Sequence, residues 1–286
     1  MINYLIELFR NIFMKKTRTQ AVVVPPVPFS TKPIMWFHNL VSILDTDTIR
    51  IAAKSKVINT VILWYGGIDD RETDMKAQNA VLLCKSLGLK VIWCRTIFPL
   101  NNAAFPRNLV FQSDYYTRMI RTLRGEMIQL GADFCCFDTE AYPQFPYMKD
   151  YYTAEGMTEE KYKECDAAVI DAIASAGKVN YALPSTYLKP AWPIINALDK
   201  LAVKTISEFT YYNYEHVYAE AGRVFDVFGA KVNTTADHTS PYDKFWTPET
   251  ILQRRDLWET NKSGLMLYPL ETNIPAIAEM IGNYKW

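Results

Sequence analysis

Nothing in these 286 residues offers a phosphate cradle: neither G-x-G-x-x-G nor G-x-x-x-x-G-K-S/T follows an apolar run. The glycine-rich turn used by dinucleotide and P-loop proteins is therefore missing. Charge of one sign is also missing. Lys plus Arg number 31 and Asp plus Glu 31, so no net field draws the chain to nucleic acid or an anionic bilayer. Histidine is scarce: only His38, His216 and His238 occur, with no H-x-H or H-E-x-x-H pattern, and neither a metal nor a cofactor is expected. The five cysteines (Cys84, Cys94, Cys135, Cys136, Cys165) are odd in number and lack metal-type spacing. Adjacent Cys135 and Cys136 on one strand would point to opposite faces. Reduced core thiols are the expectation, favouring a reducing, intracellular setting, while the compartment itself is not legible. No apolar run reaches the roughly 20 residues that span a bilayer.

What is present begins with an amphipathic start. Ile2, Leu5, Ile6, Phe9, Ile12 and Phe13 recur at helical spacing, interrupted by Glu7 and Arg10 and followed by Lys15, Lys16 and Arg18. A secretory leader would carry its positive charge first and a small-residue cleavage site afterwards, and neither is clear. The pattern predicts a helix docked on the chain's own surface, with a peripheral membrane or partner-protein contact through residues 1–16 as the alternative. Residues 1–28, ending in the Pro-rich Val24-Pro-Pro-Val-Pro28, form this extension. Residues 29–286 form the main domain.

That domain reads as eight strand-then-helix units. Strands are expected at 33–38, 57–65, 90–96, 133–140, 178–183, 204–211, 230–235 and 264–268. Helices are expected near 47–54, 72–87, 114–130, 159–174, 194–201, 217–228, 248–260 and 274–284. Alternating β and α units predict a parallel sheet covered by helices. Eight units in a chain this long favour closure into a single (β/α)8 TIM barrel, since such barrels run to about 250 residues. The fold class is α/β, with the N-terminal helical extension appended.

The chemistry concentrates in Gly131-Ala-Asp-Phe-Cys-Cys-Phe-Asp-Thr-Glu-Ala-Tyr142, an apolar run ending in Asp138 and Glu140. Residues two apart on a strand share a face, so the two carboxylates would sit together where the strand meets solvent. Neighbouring carboxylates push each other's pKa apart, leaving one ionised and one protonated. That is the equipment for acid-catalysed glycosidic cleavage. The bland alternative is an ion pair or helix cap at a strand end. Barrel enzymes carry their sites at the C-terminal strand ends. This rule places Trp36, Trp64, Tyr65, Arg95, Tyr142, Tyr211, Tyr212, Asn213, Asp237, Tyr268 and Glu271 near the same rim, where aromatic faces stack on sugars and polar groups bind hydroxyls. Core packing is the plainer reading for any single aromatic.

The fourth strand resembles that of glycoside hydrolase family 18, the chitinases and endo-β-N-acetylglucosaminidases, whose signature is D-x-x-D-x-D-x-E. Asp133, Asp138 and Glu140 match three of its four acids, and Cys136 stands at the other. The resemblance implies Glu140 as general acid and Asp138 as holder of the substrate's acetamido group during its attack on the anomeric carbon. Tyr211 or Tyr212 would orient that group, and no protein nucleophile is then needed. Where the family has Trp on strand eight, Tyr268 stands here. A weaker resemblance links the D-x-E ending to family 25 muramidases, although the Asp expected on their first strand is replaced by the run Trp36-Phe-His-Asn39.

The leading expectation is thus a glycosidase (a carbohydrate-binding, chitinase-like hydrolase of polysaccharide degradation) acting on an N-acetylhexosamine-containing polysaccharide or glycan. A conventional retaining route would instead require Asp237 or Glu271 as nucleophile across the mouth. Two alternatives are a carbohydrate-binding barrel without catalysis, and metal-assisted hydrolysis at His38, Asp237, His238 and Glu271. No nucleic-acid partner is expected.

Overall fold

The computed structural model describes residues 34–37, 47–56, 58–65, 71–96, 112–138, 159–177, 179, 181–183, 201, 204–207, 226–232, 246–253, 264–269 and 276. In chain order these form β1 (Ile34–Phe37), α1 (Thr48–Lys54), β2 (Thr60–Tyr65), α2 (Arg71–Ser86), β3 (Lys90–Thr96), α3 (Ser113–Leu130) and β4 (Phe134–Asp138). They continue with α4 (Glu159–Ala176), β5 (Tyr181–Leu183), β6 (Lys204–Ser207), β7 (Val227–Val232), α5 (Pro248–Gln253) and β8 (Gly264–Pro269). Every strand pairs in parallel with the next, and β8 returns to β1, so the sheet closes on itself. Helices follow β1, β2, β3, β4 and β7 among the described residues. The N-terminal extension lies outside them, as do most positions of the expected helices near 194–201, 217–228 and 274–284.

Helix stops set the strand starts. Gly131 follows α3 at φ 73°, and its N–H donates to the Ile128 carbonyl while that of Ala132 reaches back to Met127. This left-handed cap satisfies two terminal carbonyls and turns the chain sharply. Two residues later the Asp133 N–H donates to the Val91 carbonyl at 2.9 Å, starting the β3–β4 ladder. Farther along, Thr247 caps α5: its hydroxyl accepts from the Thr250 N–H at 3.2 Å, with Pro248 next in sequence, the residue best suited to a first helical position.

Strand alternation divides the core into two layers. Inward-facing Ile34, Ile62, Ile92, Phe134, Val227 and Met266 pack together inside the barrel with Cys94 and Cys136. Outward-facing Met35, Val61, Leu63, Val91, Trp93 and Phe137 pack against the helices, meeting Ile49, Val81, Tyr116, Ile120 and Ile173. Being buried on both faces explains why β4 is apolar along its whole length up to Asp138. Each fully buried residue of this kind contributes about 1.5–3 kcal/mol.

One boundary needs correction. The seventh strand begins at Val227, three residues before the expected 230, so Val227 and Phe228 are strand and not the end of a helix. Val227 pairs with Gly264, and the Asp226 carbonyl accepts from the Gly264 N–H at 2.8 Å. Val and Phe suit a half-buried pleated surface, and the glycine behind them is accommodated within the strand instead of ending a helix.

Candidate active site

Three strand ends carry the describable part of the site. Register aligns Trp64 of β2 with Cys94 of β3, and Cys94 with Cys136 of β4 and then Tyr181 of β5. Trp64 packs against the inner cluster that contains both cysteines, so these three side chains share one level inside the barrel. One step nearer the C-terminal mouth, Asp138 lies between Thr96 and Leu183 in register. Asp138 shares the parity of Phe134 and Cys136, both inward, and is 1% exposed. The strand therefore delivers a buried carboxylate to the interior at the C-terminal end of the parallel strands. Tyr268, partly buried on β8, packs against the same inner cluster. Trp36 lies on β1 opposite Ile62, and Tyr65 closes β2 opposite Arg95. Glu140, Tyr142, Tyr211, Tyr212, Asn213, Asp237 and Glu271 lie outside the described residues, as do His38, His216 and His238.

Arg95, expected near the rim, points toward the helices. It shares the parity of Val91 and Trp93, which face the helices, and its guanidinium grips Glu126 of α3. Nε donates to Oε2 at 2.8 Å and Nη2 to Oε1 at 2.6 Å. The Trp93 indole N–H donates to Oε2 of the same carboxylate at 2.9 Å. With side chains 15% and 19% exposed, the pair fastens α3 to β3 and takes Arg95 away from the mouth. Glu126 was the partner missed. The signal for it was legible in principle: counting alternation back from Cys94 puts Arg95 on the outer face, where a helix must supply its counter-charge.

Asp133 also has a clear duty. Its Oδ2 accepts from the Val91 N–H at 2.8 Å, and its Oδ1 binds the Lys85 ammonium at 2.5 Å. It sits just before β4, some five residues or roughly 16 Å of strand below Asp138. The first acid of the D-x-x-C-x-D-x-E run thus joins α2, β3 and β4 at the N-terminal end of the strands. Asp138 is the described acid of that run that lies at the C-terminal end of the strand. Cys84, Cys94, Cys135 and Cys136 carry thiols and not disulfides, and burial pushes the Cys84 thiol from 9.0 to about 12. Among the described residues no helix is long and apolar enough to cross a membrane.

No family model matches the chain, and no curated protein matches it. Solved structures do. The second catalytic domain of a group II chitinase from Ostrinia furnacalis has TM-score 0.55 at 11% identity, covering 90% of this chain and 98% of that one. An O-GlcNAc hydrolase from Thermobaculum terrenum has TM-score 0.51 at 10% identity, covering 89% of this chain and 58% of that one. The chain thus spans little more than half the length of that hydrolase structure. At such identities the likeness is one of fold: an α/β parallel-sheet architecture shared with barrel glycoside hydrolases.

Proposed function

We propose that the chain is a complete (β/α)8 glycoside hydrolase that cleaves an N-acetylhexosamine-containing polysaccharide or glycan. The observation that carries this reading is the placement of Asp138: buried, inward and last on β4 of a closed parallel barrel. Glu140, two residues on, is the general acid. Asp138 is its anionic companion and holds the substrate's acetamido N–H while the acetamido oxygen attacks the anomeric carbon. That attack expels the leaving oxygen as Glu140 protonates it. Water then opens the cyclic intermediate, returning its proton to Glu140 and restoring the acetamide, so configuration is retained without a protein nucleophile. Tyr211 or Tyr212 orients the acetamido group. Trp64 and Tyr268 lie on the inner face where an aromatic ring can meet a sugar. The shared fold with a chitinase domain and an O-GlcNAc hydrolase supports the substrate class.

Cys136 supports a second reading, a barrel that binds such glycans without cutting them. It is wholly buried and faces inward immediately below Asp138, where the resembling family carries an acid. The readings separate on one comparison of chito-oligosaccharide binding with reducing-end release. A hydrolase shows both, and Glu140→Gln keeps the binding while losing the release. A binding barrel shows saturable binding and no release in either form.

A further inference from the structure

On the helix side of β3, α2 and α3 border an open groove of about 420 Å³. Buried Ala77 and Trp93 lie behind it, and Thr122, Gly125, Gln129 and Leu130 line it from α3. These α3 positions recur at three- and four-residue spacing, so a single face of the helix turns toward the groove. We propose that the groove seats the chain's own N-terminal segment, with the apolar stripe of residues 2–13 laid as a helix beside α3.

Two features of the groove point to an occupant. Gly125 falls in the interior of α3, where glycine is less favourable than alanine. An added Cβ there would meet open space among the described residues, so packing within the fold does not call for glycine. What glycine supplies is a low point where another chain can approach the helix backbone closely. The second feature is on α2. Met75 and Leu82 are large apolar side chains left 65% and 55% exposed. Seven residues apart, they share one side of the helix, and Gln78 of the groove lining lies between them. They prolong the groove as an apolar strip that a helix can cover.

The N-terminal segment fits in chemistry, length and reach. Ile2, Leu5, Ile6, Phe9, Ile12 and Phe13 form a stripe about 18 Å long at about 1.5 Å per residue. The 18 residues of α3 offer about 27 Å beside it. The 20 residues between Phe13 and Ile34 include the Pro-rich run and extend to roughly 60 Å at about 3.1 Å each. From β1 the path crosses two strand spacings of about 4.8 Å and at most the length of β3, about 23 Å. One helix layer of about 10–12 Å completes it, well inside the tether's reach. Tethering also favours this occupant over a free partner. A free helix meets the full cost of association at a small groove, whereas a linked one arrives at an effective concentration on the order of millimolar. The proposal does not depend on the chemistry of the barrel mouth, which lies on the other face of the sheet.

Hydrogen exchange on the full chain is the test. Filling the groove with Gly125→Trp should speed exchange of the amides of residues 5–13 by about ten-fold or more, while those of β3 and β4 stay as slow as in the parent. Met75→Glu should do the same, and at so exposed a position it leaves the fold intact. Residues 5–13 unprotected in the parent, or protection that survives Met75→Glu and Gly125→Trp, overturns the proposal. Protection that grows with protein concentration overturns it in favour of a second copy of the chain. Protection gained only on phosphatidylserine vesicles overturns it in favour of a membrane surface.

Discussion

β3 and β4 treat their two faces in opposite ways. Toward the helices, every polar group is committed within the fold: Arg95 and the Trp93 N–H both close on Glu126, and Asp133 closes on Lys85 and the Val91 N–H. Toward the interior, the same strands carry Cys94, Cys136 and Asp138. A single alternation thus separates residues that fasten the sheet to its helices from residues that face the interior. Position at the C-terminal rim does not make a residue part of the site; parity does. Arg95 and Asp138 are both near strand ends and point to opposite faces of the sheet.

The comparison breaks most visibly if the inner face is not the working one. Glu140→Gln should reduce turnover roughly 10²–10⁴-fold, the usual contribution of a general acid, with chito-oligosaccharide affinity kept in binding assays. On the outer face, Glu126→Ala should destabilise the fold by roughly 2–4 kcal/mol in denaturant melts, since it strands a mostly buried guanidinium and the indole N–H together. Its effect on KM should be small, and a large KM change with an unaltered melt would return Arg95 to the substrate. Gly177→Ala should cost about 1–2 kcal/mol: φ there is 90°, and an added Cβ would meet Arg124 Nη1 at 2.5 Å, displacing the guanidinium from the Ala176 carbonyl. The smallest effect concerns pH. The Cys84 thiol is raised from 9.0 to about 12 by desolvation, so it stays protonated in the fold while the unfolded chain ionises. Its contribution is fully present below pH 9 and is lost as pH rises toward 12. Cys84→Ala should flatten the alkaline fall in melting temperature over that window, and an identical slope would show that the thiol is not desolvated.

Much of the fold was legible because apolar periodicity and helix stops are local. β3 matches its expected bounds, and Gly131 ends α3 where a left-handed cap was needed. The seventh strand was misplaced because Val227-Phe228-Gly229 reads equally as a helix end until Gly264 supplies its parallel partner. At the site, the inward aim of Asp138 followed from counting along one strand. The duty of Arg95 did not, because its partner lies 31 residues away on α3 and only packing brings them together. Asp133 likewise matched a motif by sequence while Lys85, on another helix, fixed its role.

The most direct test is turnover of chito-oligosaccharides by the unaltered chain and by Asp138→Asn, measured as reducing ends released, with thermal melts of both. Release by the parent that falls roughly 100-fold or more in the variant, with the melt preserved, is the outcome the account requires. Equal release by the two proteins would contradict it, and a parent that binds the oligosaccharides but releases nothing would leave a glycan-binding barrel in place of a hydrolase.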